Sequence, residues 1–198
     1  MGEKIEIIYE KAEKSDGLIT TKEIETLGIG RYKIKDYVDE GLLVRESKGI
    51  YSVVKEMPDE YAALQKRSQK AIYSYGTALF FHGLSDRVPR TIDMTLPQGY
   101  NAGRLKKANP DLRIHYVRPE VLELGVEDLK TPQGSVVRAY NKERCICDLI
   151  KNRNKVDKQI FTQAVKTYFS EPYNPREILK MAKVIGVENE VRKYMEVL

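Results

Sequence analysis

Tryptophan is absent from the chain, phenylalanine occurs four times, and there are only two cysteines and two histidines. Two cysteines are too few for a disulfide framework, and this usage fits a reducing cytosol. Cys145 and Cys147 stand two apart; on a helix they point roughly 200° apart and cannot hold one metal ion, so one is expected to pack inward as a small apolar residue. The histidines are equally unpromising as ligands. His82 closes an apolar helix and is expected to bond a neighbouring carbonyl or Asp86, while His115 has no cysteine or carboxylate at ligand spacing. Apolar residues never run to the roughly 20 needed to span a bilayer. The start, Met1-Gly2-Glu3-Lys4, has no apolar segment of the kind a secretory leader carries. A Walker loop, a glycine-rich dinucleotide motif and a nucleophile elbow are all missing, so no catalytic residue, cofactor or metal is expected.

What is present is charge and helix-forming composition. The chain has 198 residues, 41% of them apolar and 32% charged, with a net charge of +5. That length suits one large or two small domains, and the modest basic excess admits nucleic acid as a partner without requiring it. The charge is unevenly placed. Residues 1–55 hold 10 Lys+Arg against 11 Asp+Glu, and the remainder holds 24 against 18.

The first fifty-five residues read as a winged helix-turn-helix. A helix over 3–15 turns Ile5, Ile8 and Tyr9 inward and ends at Ser15-Asp16-Gly17, and Leu18-Ile19 is a short extended link. Thr20 to Glu23 is a capping box opening a helix that ends at Gly28. After the tight Gly28–Gly30 turn comes an amphipathic helix with Ile34, Tyr37 and Val38 at i, i+3 and i+4. Arg31, Tyr32, Lys33 and Lys35 occupy its other faces, as a recognition helix requires. Leu42 to Val44 and Ile50 to Val53 then form a hairpin turned at Ser47-Lys48-Gly49, with Arg45 on its side and Lys48 at the wing tip. The spacing predicts DNA binding through Arg31, Tyr32, Lys33, Lys35, Arg45 and Lys48. So few cations give weak counterion release, which predicts more than one copy on the DNA or help from elsewhere in the chain.

Lys55 to Asp59 marks a boundary, giving domains at 1–55 and 56–198, with Pro58 placed to start the next helix. The second domain reads as α+β: a small sheet of three to five strands with helices gathered at its C-terminal end. Strands are expected at Arg90–Leu96, Leu112–Val117 and Gly134–Tyr140, with Val126–Lys130 as a further short one. Thr77 is expected to cap a helix carrying Ala78, Leu79 and Phe81, and Asn141 another that turns Ile146, Leu149 and Ile150 inward. Asp86 with Arg87, and Arg144 with Asp148, are expected as ion pairs.

The residues now carry a resemblance. The run Gly76-Thr77-Ala78-Leu79, His82 through Pro89 (His-Gly-Leu-Ser-Asp-Arg-Val-Pro), Leu96-Pro97, Tyr140 through Asp148, and Asp157 with Tyr168 resemble the AbiEi antitoxin family, as does a winged helix ending in Gly49-Ile50-Tyr51 ahead of such a domain. The resemblance extends over nearly the whole chain. It implies an abortive-infection toxin–antitoxin system in which the first domain represses its own operon; two copies of the winged helix are expected at inverted or repeated operator sites. It further implies that the second domain counters a nucleotidyltransferase-like toxin. No catalytic residue is implied. A protein that is a monomer in solution or a dimer on DNA, in the cytoplasm, is the expectation.

Two basic groups in the second domain are candidate nucleic-acid or partner contacts: Arg104, Lys106 and Lys107 with Arg113, and Lys151, Arg153 and Lys155 with Lys142, Arg144 and Lys158. Two other readings stay open. One is a winged-helix transcription factor that responds to a small ligand. The other is a DNA-targeted nuclease, which needs Asp86, Asp93, Glu143 and Asp148 to be gathered around Mg²⁺ by the fold.

Overall fold

The computed structural model describes residues 3–53 and 59–198. The architecture is mixed α+β: helices and a small sheet first, then a larger sheet and C-terminal helices. The chain divides into two compact units, with the break between Arg67 and Ser68; the second comprises Ser68–Pro132 and Val136–Leu198.

The first unit runs α1 (Glu3–Glu13), β1 (Leu18–Thr20), α2 (Thr21–Thr26), α3 (Arg31–Asp39), β2 (Leu43–Ser47), β3 (Ile50–Val53) and α4 (Glu60–Arg67). Ile5, Ile8 and Ala12 of α1 fall on one face and are buried with Ile24, Ile34 and Leu43. Asp16 and Gly17 both take left-handed backbone, at φ 56° and 72°, and this reverses the chain after α1. The segment Leu18–Thr20, expected as a link, is a strand: it pairs antiparallel with β3, giving a three-stranded sheet in the order β1-β3-β2. Pairing satisfies backbone groups that a buried link would leave orphaned, since Leu18 and Ile19 are fully buried.

Helix α4, assigned from sequence to the second domain, belongs to this first unit. Ala62 packs with Leu18 and Ile50, and the Lys66 ammonium donates to the carbonyls of Ser15 at 2.9 Å and Leu18 at 3.0 Å. Asp59 caps α4 by accepting from the backbone of Tyr61 at 2.9 Å. Most of the expected boundary, with Pro58, lies outside the described residues.

The second unit runs β4 (Ile72–Tyr73), α5 (Tyr75–Phe81), β5 (Ile92–Pro97), α6 (Gly103–Ala108), β6 (Leu112–Val117), β7 (Val126–Lys130), β8 (Val136–Tyr140), α7 (Lys142–Lys151), α8 (Lys158–Ser170), α9 (Pro175–Ile185) and α10 (Glu188–Val197). Its five strands lie in the order β6-β5-β4-β8-β7. The two-residue β4 is the centre of the sheet, antiparallel to β5 and parallel to β8. Strands β5 and β6 are parallel over their whole length.

Helix α7 is the pillar of this unit, with every residue from Arg144 to Ile150 buried. Asn141 caps it as expected, accepting from Arg144 N at 2.9 Å. Because α7 is enclosed on all sides, both Cys145 and Cys147 are buried, where one had been expected inward. Burial pushes the Cys147 thiol up to about 12 and raises Cys145 as well. Thr77 is not a cap: α5 begins two residues earlier, and the buried Thr77 hydroxyl accepts from Asp93 N at 2.8 Å, tying α5 to β5.

Candidate nucleic-acid interface

Two local devices position α3. The capping box at the start of α2 is closed in both directions: Glu23 N donates to the Thr20 hydroxyl at 3.2 Å, and Thr20 N donates to the Glu23 carboxylate at 2.7 Å. Gly28 then turns the chain at φ +75°, a conformation that a side chain strains, so that Gly30 opens α3. Within α3 only Ile34 is buried, with Tyr37 and Val38 packed partly against the same core, as the periodicity predicts.

Everything else on α3 is presented outward. Tyr32 is 73% exposed, and Lys35 is exposed and makes no ion pair among the described residues. Arg31 and Lys33 are exposed but engaged. Arg31 Nε donates to Glu25 of α2 at 2.5 Å, bracing the turn, and Lys33 lies 3.3 Å from Asp36. The hydrogen bond and charge of Glu25 raise the Arg31 pKa, and Asp36 does the same for Lys33. Both pairs are solvent-exposed and weak, so a phosphate can take over either cation at small cost.

The wing is formed by β2 and β3, with a bulge between Arg45 and Ser47. Glu46 accepts from the Ser52 hydroxyl at 2.5 Å, and Arg45 and Lys48 are exposed. Five cations and one aromatic ring are therefore displayed by two neighbouring elements of one unit. A surface of this composition suits contact with phosphates and base edges.

In the second unit the two basic groups separate. Arg104, Lys106 and Lys107 stand exposed on α6, whose only buried residue is Leu105. Lys151 and Lys155 line a cleft together with Arg113, while the Arg153 guanidinium sits 5.6 Å over the Phe161 ring. Lys142 pairs with Glu171 at 3.3 Å. Arg144 leaves the surface altogether. It is fully buried, bonding Asp148 at 2.9 Å and the carbonyls of Val121 at 2.8 Å and Leu124 at 2.9 Å, over the Tyr140 ring. The Arg144–Asp148 pair is thus as expected from the i, i+4 spacing, but it is a core pair. Burial raises the Asp148 pKa against the opposing pull of Arg144.

Asp86 and Arg87 do not pair. Asp86 is exposed, and Arg87 donates instead to Gln159 at 2.5 Å. His82 bonds the Tyr140 carbonyl at 2.8 Å, one of the two partners expected. His115, by contrast, does meet a carboxylate: its Nε2 is 2.7 Å from Asp93 Oδ1, and its ring stacks on Tyr75 at 4.0 Å between centroids. The parallel register, which sets Asp93 beside Arg113 and Thr95 beside His115, brings these residues together. Spacing along the chain does not reveal it. Of the four carboxylates of the nuclease reading, Glu143 accepts from Tyr168, Asp93 bonds His115, Asp148 bonds Arg144, and Asp86 is exposed. Among the described residues no three acidic, His or Cys side chains gather as a metal site, and no helix is long and apolar enough to cross a membrane.

Comparison with known proteins adds two findings. Residues 6–54 match the family model described as "Transcriptional regulator, AbiEi antitoxin", so the helix-turn-helix segment is that of an AbiEi antitoxin regulator; the motifs at 76–148 lie outside the match. The crystal structure of the RV2827C protein from Mycobacterium tuberculosis is similar over 99% of this chain and 82% of that chain, at a TM-score of 0.55 and 12% identity, which is a likeness of fold. No curated protein matches the chain.

Proposed function

Because residues 6–54 carry the domain of the AbiEi antitoxin transcriptional regulators, we propose that the whole chain is an antitoxin that also represses its own operon. The observation that supports this reading is the match of that family model to a segment whose helix α3 buries Ile34 and exposes Arg31, Tyr32, Lys33 and Lys35. Tyr32, Lys33 and Lys35 enter the major groove, and Arg31, Arg45 and Lys48 take phosphates. The first fifty-five residues carry slightly more acidic than basic side chains. Affinity from one copy is therefore weak, and two copies, monomeric in solution or dimeric on DNA, occupy inverted or repeated operator sites. The second unit counters a nucleotidyltransferase-like toxin in the cytoplasm and performs no catalysis. Arg104, Lys106, Lys107, Lys151, Arg153 and Lys155 supply further contacts to nucleic acid or to that partner.

A mobility-shift titration on the DNA upstream of the gene tests the recognition helix. The Arg31, Lys33, Lys35 triple alanine variant is expected to bind on the order of a hundredfold more weakly, from three lost charge contacts. Equal binding by variant and wild type rules out the assignment.

A further inference from the structure

Helix α3 opens without the device that several other helices use. Thr20, Asp59, Asn141, Asp157 and Asn174 each accept a backbone hydrogen bond at the start of α2, α4, α7, α8 and α9. Gly30 holds the cap position of α3 and supplies no such bond. A serine, asparagine or aspartate caps a helix better than glycine does. Backbone geometry does not call for glycine either. Gly30 sits at φ −69° and ψ 151°, which any residue adopts, whereas Gly28 is at φ +75°.

The place of a side chain at position 30 is taken by the ring of Tyr32. A Cβ on residue 30 would lie 2.7 Å from Tyr32 Cε1 and 3.0 Å from Cδ1, well inside the roughly 3.5 Å at which carbon atoms touch. The three nearest atoms all belong to that ring. Helical side chains lean back toward the N-terminus, so a tyrosine at the second position of α3 reaches over the residue that precedes the helix. Tyr32 still keeps most of its surface open to solvent. Recognition helices contact base edges with their N-terminal residues, which is where Tyr32 stands. An exposed side chain gives up rotamer freedom when it docks, and a ring already resting on its own backbone gives up less.

We propose that Gly30 is a positioning residue: it lacks a side chain so that the Tyr32 ring rests against the backbone of residue 30, set in advance for contact with operator DNA. The inference rests on the reading of α3 as the recognition helix, and it accounts for the glycine at a position where serine caps better.

Two measurements on the full chain test it. In the free protein, NMR is expected to show nuclear Overhauser contacts between the Gly30 α-protons and the Tyr32 ring. Mobility shifts on the DNA upstream of the gene then compare Gly30→Ser, Tyr32→Ala and the double variant. Gly30→Ser is expected to unfold at no lower urea concentration than wild type, because serine caps the helix. It is nevertheless expected to bind the operator roughly tenfold more weakly, as is Tyr32→Ala, with the double variant within about twofold of Tyr32→Ala. Absence of the ring contacts overturns the proposal, as does a double variant in which the two losses multiply. Unchanged binding by Gly30→Ser beside weakened binding by the Arg31, Lys33, Lys35 triple alanine overturns the positioning role and leaves the recognition helix standing. Unchanged binding by both Tyr32→Ala and the triple alanine removes the recognition helix and the proposal with it.

Discussion

Helices α3 and α7 are nearly the same length, nine and ten residues, and they are used in opposite ways. Helix α3 buries Ile34 alone and shows its cations and Tyr32 to solvent. Helix α7 buries seven consecutive residues, an arginine and an aspartate among them. One helix is held by a single buried residue with Tyr37 and Val38 packed beside it, and the rest of its surface is exposed or half-exposed. The other is a structural post whose charges are consumed internally. The same residue type therefore has different consequences: Lys35 can be removed without harming the fold, and Arg144 cannot.

The contrast is broken most severely at Arg144. Arg144→Ala leaves Asp148 buried without its partner and strips the Val121 and Leu124 carbonyls of their donor. A loss of about 3–5 kcal/mol in urea unfolding is expected. Arg144→Met combined with Asp148→Leu is expected to recover most of it, because a buried pair replaced on both sides by apolar groups costs little. A double variant as unstable as the single one contradicts the view that the uncompensated carboxylate is the main penalty. Next in size is Ile34→Ala, which removes the anchor of α3 and is expected to cost about 2–4 kcal/mol in the same measurement.

How much of this was legible in the sequence follows the same division. The face of α3, the capping box at Thr20 and the wing are set by residues a few positions apart, and local periodicity reveals them. The i, i+4 spacing of Arg144 and Asp148 shows that they pair, but burial depends on α7 being covered on every side, which one helix's pattern does not record. Strand β4, with two residues, is too short to show alternation and yet sits at the centre of the sheet. Thr77 resembled a cap because it precedes an apolar run; Ser74 holds that position, and Thr77 serves β5 instead. The cluster of Asp93, His115 and Tyr75 depends on a parallel register between strands some twenty residues apart.

A smaller effect comes from His82. Burial lowers its pKa below the ordinary histidine value, while the Tyr140 carbonyl accepts its Nε2 proton. A pKa depressed in the folded state gives stability that is present above about pH 6.5 and is lost as pH falls toward the folded value. The wild type is expected to lose stability on acidification from about pH 7.5 to about 5.5, by no more than about 1.4 kcal/mol per pH unit from this group. His82→Gln is expected to show a shallower loss in urea midpoints across the same window. Identical pH profiles contradict the assignment.

The central claim is that α3 selects the DNA sequence while the wing supplies charge. It is tested most directly by operator affinity relative to scrambled DNA, measured at fixed salt for Lys35→Ala and Lys48→Ala. Lys35→Ala is expected to lower the operator-to-scrambled ratio by roughly tenfold or more, with unchanged unfolding. Lys48→Ala is expected to weaken binding to both DNAs alike and to leave the ratio intact. A ratio unchanged by Lys35→Ala, or lowered only by Lys48→Ala, contradicts the account.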